Sequence, residues 1–173
     1  MENRIEALAY SACVKKNLFY HSWEHTLRVA DYAKSILANE FGDASILTDV
    51  LVASYFHDTG RIRDRVDCEH GYRSAMILDL HELPFSHDKG SVRFAILNHC
   101  RKQGELGHLP VTKNYSPRGS IDMRIAACLW DADRLDLIRL PNFPYVKMDC
   151  LSTEYAKSFA NSPEHKKLYE KQV

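Results

Sequence analysis

Apolar residues recur every three or four positions along most of the chain, a spacing that predicts helices burying one face. The first such pattern predicts a short helix over residues 3–16. Ser22 is the expected N-cap of a second helix, which reaches about Phe41 and begins its apolar stripe at His25. His25 therefore points inward, although an inward histidine is more often a satisfied core residue than a metal ligand.

A third pattern is the apolar run from Val50 to Phe56, which is followed at once by His57, Asp58, Thr59 and Gly60. The run predicts a helix buried on most of its surface, with Gly60 as its stop signal. An ionised aspartate at the inner end of a core helix is costly unless a cation or donor compensates it. The alternative is that His57 caps the helix and Asp58 is an exposed turn residue.

The remaining patterns predict further helices and one long loop. Glu69-His70-Gly71 opens a fourth helix, and a fifth begins at His87-Asp88 and ends at His99. Residues 101–120 are rich in Gly, Pro, Lys and Asn, which predicts a lid or binding loop. The sixth helix covers residues 121–136, and two terminal helices over 151–161 and 163–172 are expected to cover the core.

Length and composition narrow the classes of function. The chain has 173 residues, a length that predicts one domain. Its 23 basic and 23 acidic residues balance, so no net charge attracts nucleic acid or acidic membranes. No apolar run reaches the roughly 18 residues of a membrane span, and we expect no signal peptide. The five cysteines are widely spaced without a Cys-x-x-Cys pair, which favours neither a disulfide framework nor a thiolate zinc site. We predict a cytoplasmic protein. No feature of the sequence indicates the oligomeric state.

Four inward or helix-end side chains suggest metal chemistry: His25, His57, Asp58 and Asp131. Asp131 borders an apolar face of the sixth helix, where a carboxylate needs a partner. Asp133 should face elsewhere, and we expect Asp133 and Asp136 to pair with arginines or face water. Imidazole and carboxylate donors without thiolate suit Mn, Fe, Co, Ni, Zn or Mg. Such a site acidifies bound water and polarises a phosphoryl oxygen.

These residues and their contexts resemble the HD-domain metal-dependent phosphohydrolases. The matching segments are His25-x-x-Arg28-Val29, Phe56-His57-Asp58-Thr59-Gly60 and Asp131-Ala132-Asp133-Arg134-Leu135-Asp136. The last is similar to a signature of small bacterial HD hydrolases, and the resemblance covers residues 20–140. It implies an all-α single domain over 1–173, with His25, His57, Asp58 and Asp131 as ligands of the first metal ion.

The resemblance also implies roles for residues around that ion. Asp58, His70 and His99 are the expected catalytic residues. His70 and His99 are either ligands of a second ion or donors to the phosphoryl group, with the donor role slightly favoured. The basic residues expected to contact substrate phosphate are Arg61, Arg63, Arg65, Lys102 and Arg134. The first three could instead be a solvated loop paired with its own acidic residues.

The function implied is a phosphomonoesterase, phosphodiesterase or pyrophosphatase that uses metal-activated water. Its expected partner is a phosphorylated small molecule, in particular a nucleotide. One alternative is a catalytically silent nucleotide-binding or signalling module on the same fold. A second, less favoured, is a di-iron oxygenase on the same ligand framework.

Overall fold

In the computed structural model of the protein, residues 2–13, 18–86, 89–100, 121–143 and 145–168 are described. These residues form an all-α domain, which confirms the predicted fold class. The eight α-helices of this part of the chain are α1 Glu2–Cys13, α2 Trp23–Ile36, α3 Leu47–Phe56, α4 His70–Asp79, α5 Lys89–Asn98, α6 Met123–Leu135, α7 Glu154–Ala160 and α8 Pro163–Lys167. None of the helices so described is long and apolar enough to cross a membrane.

The core lies where α2, α3, α5 and α6 pack against one another. Helix α3 is at its centre, because every residue from Asp49 to Phe56 is buried. This agrees with the apolar residues Val50–Ala53, Tyr55 and Phe56 in its sequence, which surround the helix on every side. Helix α1 covers α3 from one side, and α7 packs on α6.

The helix ends follow local signals in the sequence. Helix α2 continues as a π-helical turn, Leu37–Phe41, which Gly42 closes in the left-handed region with φ 63°. The Asp43 carboxylate then accepts a hydrogen bond from the Ser45 N–H at 2.9 Å and starts the short turn before α3. Ser22 occupies the N-cap of α2 as predicted, but its hydroxyl makes no capping hydrogen bond.

Two glycines allow close approaches that later position the site. A Cβ atom at Gly60 would overlap the backbone of Arg73 and Ser74 in α4, and the Gly60 N–H donates to Ser74 Oγ at 2.8 Å. A Cβ atom at Gly71 would lie 2.8 Å from the Leu97 carbonyl oxygen at the end of α5. The absence of a side chain at these two positions brings the end of α3, the start of α4 and the end of α5 together.

Candidate metal centre

Four helices bring polar side chains near their ends to one buried place in the domain. His25 lies in the first turn of α2, His57 and Asp58 directly follow α3, His70 opens α4, and His99 directly follows α5. All five side chains are buried. The alternative in which Asp58 is an exposed turn residue is therefore wrong.

The first cluster consists of His25, His57, Asp58 and Asp133. The Nε2 atoms of His25 and His57 are 3.2 Å apart, and each lies 3.6 Å from Asp58 Oδ2. Asp133 Oδ1 lies 3.4 Å from His25 Nε2 and 3.9 Å from His57 Nε2. Two imidazole nitrogens and two carboxylates thus converge on one small volume, and His25, His57 and Asp58 alone form a group that could hold a metal ion.

Asp131 does not join this cluster, so the structure contradicts the expectation that it is the fourth ligand. Its carboxylate faces the first turn of α7, where it accepts hydrogen bonds from the Ser152 N–H at 2.9 Å and the Thr153 N–H at 2.7 Å. The Thr153 hydroxyl donates to it as well, at 2.8 Å. The partner that this buried carboxylate needs is therefore a helix start and not an ion.

Asp133 takes the position expected for Asp131 because residues two apart on a helix lie about 200° apart around its axis. The prediction that Asp133 faces arginines or water is wrong. Asp133 and Asp136 stand at i and i+3 on the same side of α6, which is the side facing His25. The spacing within Asp133-Arg134-Leu135-Asp136 is the sequence signal that identifies this pair.

The second cluster consists of His70, His99 and Cys100. The Nε2 atoms of the two histidines are 2.8 Å apart. Asp58 connects the two clusters, since its Oδ1 atom lies 3.2 Å from His70 Nε2 and 3.5 Å from His99 Nε2 while its Oδ2 faces the first cluster. The ligand atoms of His70, His99 and Cys100 lie within 4.8 Å of one another. Sequence reasoning missed Cys100, although it directly follows His99.

The hydrogen bonds of the four histidines fix which ring nitrogen faces the clusters. Nδ1 of His57, His70 and His99 contacts the carbonyl oxygens of Ser54, Asp67 and Ile96 at 2.7, 2.5 and 2.6 Å. A carbonyl oxygen can only accept, so each Nδ1 carries the hydrogen and each neutral ring presents an unprotonated Nε2.

His25 is held in the same orientation by a carboxylate. Its Nδ1 donates to Asp136 Oδ2 at 2.7 Å, and Asp136 is completely buried. Arg28 Nε donates to Asp136 Oδ1 at 2.7 Å, and Arg139 Nη1 lies 3.0 Å from its Oδ2. Burial raises the pKa of Asp136, but His25 and Arg28 lower it more, to about 2, so the carboxylate is ionised. Asp136 therefore pairs with Arg139, one of the two arginines expected from the sequence, and it also orients His25.

The field at the first cluster favours a positive charge. Burial lowers the pKa of His25, yet its hydrogen bonds to Asp133 and Asp136 outweigh burial and raise it. Burial raises the pKa of Asp133, but the hydrogen bond with His25 and the charge of His57 hold it far below its usual range. Burial itself lowers the pKa of His57 to about 4.

Asp58 remains ionised although it is buried. Burial raises its pKa, but the neighbouring histidine rings and the Arg61 guanidinium together hold it well below the ordinary value. For His70, burial lowers the pKa to about 4, and the neighbouring His99 acts in the same direction. The centre therefore combines ionised carboxylates with neutral rings at His57 and His70, which is the protonation state that a metal ion requires of such ligands.

This arrangement fits a divalent cation. Ring nitrogens that face one another at 2.8–3.2 Å beside buried carboxylates need positive charge between them, which either a proton or a metal ion can supply. A divalent cation held by His25, His57, Asp58 and Asp133 supplies that charge, and nitrogen and oxygen donors suit the transition metals.

Of the expected substrate contacts, Arg61 lies closest to the centre. Its Nε donates to Asp58 Oδ1 at 3.2 Å and its Nη2 donates to His70 Nε2 at 3.1 Å. Arg63 and Arg65 are exposed on the connection between α3 and α4. The neighbouring carboxylates are used elsewhere: Asp64 accepts from the N–H groups of residues 19–21, and Asp67 pairs with Arg73.

The other two expected contacts are less informative. Arg134 is mostly buried, and its Nη1 has no hydrogen-bond partner within the described residues; the nearest carboxylate oxygen, Oδ1 of Asp131, lies 3.9 Å away. Lys102 and the expected lid over 101–120 lie outside the described residues. One side chain that sequence reasoning missed is His21, whose ring lies 5.8 Å from that of His25 and whose Nδ1 pairs with Asp64.

Comparison with protein families gives one match. A family model described as HD domain matches residues 22–138, which is more than half of the chain. The match contains both clusters and ends after Asp136. Searches of the curated proteins and of the solved structures gave no significant match.

Proposed function

The chain belongs to the HD domain family, and we propose from this premise that it is a metal-dependent phosphohydrolase acting on a phosphate ester or anhydride. We further propose that the substrate is a nucleotide or a related small molecule. The observation that supports the proposal most directly is the first cluster, in which the Nε2 atoms of His25 and His57 and two ionised carboxylates converge in a buried volume.

In this proposal His25, His57, Asp58 and Asp133 hold the cation. When bound, such a cation lowers the pKa of water and polarises a phosphoryl oxygen, the two requirements of phosphate hydrolysis at neutral pH. The protein contributes ligand orientation: Asp136 fixes the ring of His25, and the Ser54 carbonyl fixes the ring of His57. Hydrogen-bond acceptors that hold the non-coordinating nitrogen of a histidine keep the ligand in the orientation that the metal needs.

Arg61 is the proposed phosphate contact. Its guanidinium lies against Asp58 and His70 with 12% of the side chain exposed, so it reaches the centre and also a site open to solvent. Guanidinium donors match phosphate oxygens, and the positive charge would stabilise negative charge that develops during transfer. Arg63, Arg65, Lys102 and Arg134 remain predicted contacts.

The geometry favours ligand roles for His70 and His99 over the donor role. To donate from Nε2, a ring whose Nδ1 already carries a hydrogen must be doubly protonated. Burial lowers the pKa of His70 to about 4, which opposes protonation near neutral pH. The His70 ring therefore presents a lone pair towards Asp58, as a ligand does.

The test is a metal analysis followed by a substrate screen. Protein purified without chelator is analysed for transition metals and then assayed with nucleotides, cyclic nucleotides, dinucleotides and sugar phosphates in the presence of Mn²⁺, Fe²⁺, Co²⁺, Ni²⁺, Zn²⁺ or Mg²⁺. We expect bound metal and hydrolysis of at least one class. Nucleotide binding without hydrolysis under every cation would instead identify a silent module, and oxygen consumption by an iron-loaded protein would identify an oxygenase.

A further inference from the structure

The second cluster contains a sulfur atom that the proposed reaction does not use. Cys100 directly follows His99 at the end of α5, and its side chain is exposed. Its sulfur lies within 4.8 Å of the ligand atoms of both His70 and His99. Gly71 packs against the Leu97 carbonyl oxygen, so the start of α4 lies against the end of α5. This contact brings the side chains of His70, His99 and Cys100 together.

The two histidines of this cluster face each other with their acceptor nitrogens. Their Nε2 atoms are 2.8 Å apart, and both Nδ1 hydrogens are directed to backbone carbonyls, so two lone pairs face each other when the rings are neutral. Arg61 Nη2 donates one hydrogen to His70 Nε2, which satisfies one of the two. A cation bound between the rings satisfies both at once and frees Arg61 for a phosphate.

We infer that Cys100 is a metal ligand, whose thiolate joins His70 and His99 in a second cation site that selects thiophilic metals. Asp58 Oδ1 lies 3.2 and 3.5 Å from the Nε2 atoms of the two rings. Two nitrogen donors and one thiolate suit Zn²⁺ or Co²⁺, whereas Mg²⁺ takes six oxygen ligands. The first cluster has no sulfur donor among its four side chains and does not discriminate in this way.

Cys100 must lose its proton to take this role. Burial raises the pKa of Cys100, against hydrogen bonding from the Gly71 backbone, so the free side chain is a thiol. On binding, the cation replaces the thiol proton, which passes to solvent, and no oxidant or reductant is involved. The inference rests on the cation-binding part of the proposed function and does not require turnover.

The experiment is a Co²⁺ titration of chelator-treated protein under a thiol-free reductant, followed in the near ultraviolet, where thiolate-to-Co²⁺ charge transfer absorbs. The variants are wild type, Cys100→Ser and Cys68→Ser. Cys68 is the matched control because it is also exposed and its carbonyl oxygen lies 3.9 Å from Cys100 Sγ. Both substitutions affect exposed positions, and circular dichroism checks that the variants fold.

We expect the charge-transfer band in wild type and in Cys68→Ser, and its complete loss in Cys100→Ser. In the Cys100 variant the second equivalent of Co²⁺ should bind at least about tenfold more weakly, and Zn²⁺ but not Mg²⁺ should abolish the wild-type band. Co²⁺ binding by wild type without the band, or an undiminished band in Cys100→Ser, would overturn the inference. Neither result depends on phosphate release, so failure of the proposed reaction is recognised separately by the substrate screen.

Discussion

His25 Nδ1 donates a 2.7 Å hydrogen bond to Asp136, a completely buried carboxylate 111 residues further along the chain. The bond turns the Nε2 atom of His25 towards His57, Asp58 and Asp133. Arg28 contacts Oδ1 of the carboxylate, and Arg139 contacts Oδ2. Asp136 is therefore a positioning residue, which acts on the centre through His25.

The first prediction is that Asp136→Asn lowers metal affinity about 10–100-fold, the range for outer partners of metal ligands. The substitution removes the negative charge to which His25 Nδ1 donates, so the preference of the ring for the tautomer with hydrogen on Nδ1 will weaken. Calorimetric titration of Mn²⁺ measures the affinity, and ¹⁵N chemical shifts of the imidazole measure the tautomer. Asp79→Asn, a surface carboxylate paired with Lys89 and Arg93, is the control. Unchanged affinity and an unchanged tautomer would refute the positioning role.

The second prediction separates Asp133 from Asp131. Asp133→Asn should weaken Mn²⁺ binding by more than about 100-fold, because a ligand should matter more than an outer partner. Asp131→Asn should leave Mn²⁺ affinity within about twofold but lower the free energy of unfolding by about 1–3 kcal/mol, because the N–H groups of Ser152 and Thr153 lose a charged acceptor.

Metal titration and urea unfolding of the two variants provide the comparison. A loss of metal affinity in Asp131→Asn with normal affinity in Asp133→Asn would return the fourth ligand to Asp131. Loss of affinity in both would mean that the start of α7 also supports the centre.

The third prediction concerns pH and the metal-free protein. Burial lowers the pKa of both His57 and His70 to about 4, from an ordinary value of 6.5. Between these values the unfolded state binds protons that the folded state does not, so stability is present above pH 6.5 and is lost as pH falls towards 4. Each histidine contributes at most about 3 kcal/mol.

His25 acts in the opposite direction, since its raised pKa contributes stability below pH 6.5 that is lost at higher pH. With two lowered values against one raised, the urea midpoint of protein kept in chelator should fall between pH 7 and pH 4.5. The double variant His57→Gln, His70→Gln should show a flatter profile. A midpoint that rises on acidification of the wild type would contradict the assignment of neutral rings.

The fourth prediction is kinetic and concerns Arg61. Because hydrogen bonds to charged groups contribute about 1.5–3 kcal/mol, Arg61→Ala should lower kcat/KM about 10–100-fold on the best substrate found. Arg61→Lys should recover part of the loss, since it restores charge but not the forked geometry. Arg93→Ala is the control, as this exposed arginine pairs with Asp79 on the surface of α5. Equal kinetics in Arg61→Ala and Arg93→Ala would remove Arg61 from the site.

Sequence patterns predicted the fold well because periodic apolar positions and helix caps are local. The unbroken run before His57 identified the central helix, and Ser162-Pro163 correctly marked the start of α8, where the Ser162 hydroxyl accepts from the His165 N–H at 3.1 Å. The same patterns placed His25, His57 and Asp58 at inward positions, and the structure brings them together.

The patterns failed where the answer depends on which neighbouring element a side chain faces. Asp131 and Asp133 both lie on the buried helix α6, and burial alone does not distinguish a carboxylate that caps α7 from one that faces His25. Cys100 was missed for a similar reason: its position beside His70 depends on the contact of α4 with α5 at Gly71. Relations between helices of this kind require tertiary structure.

The central claim is that cation binding at the first cluster drives phosphate hydrolysis, and one measurement tests it most directly. Phosphate release is followed in chelator-treated wild type and Asp58→Ala as Mn²⁺ or Co²⁺ is added back, with a substrate identified by the screen. We expect release that rises from background to saturation in wild type and stays at background in Asp58→Ala, which keeps its fold because the change removes a buried charge. Release that is independent of added cation, or that saturates equally in Asp58→Ala, would contradict it.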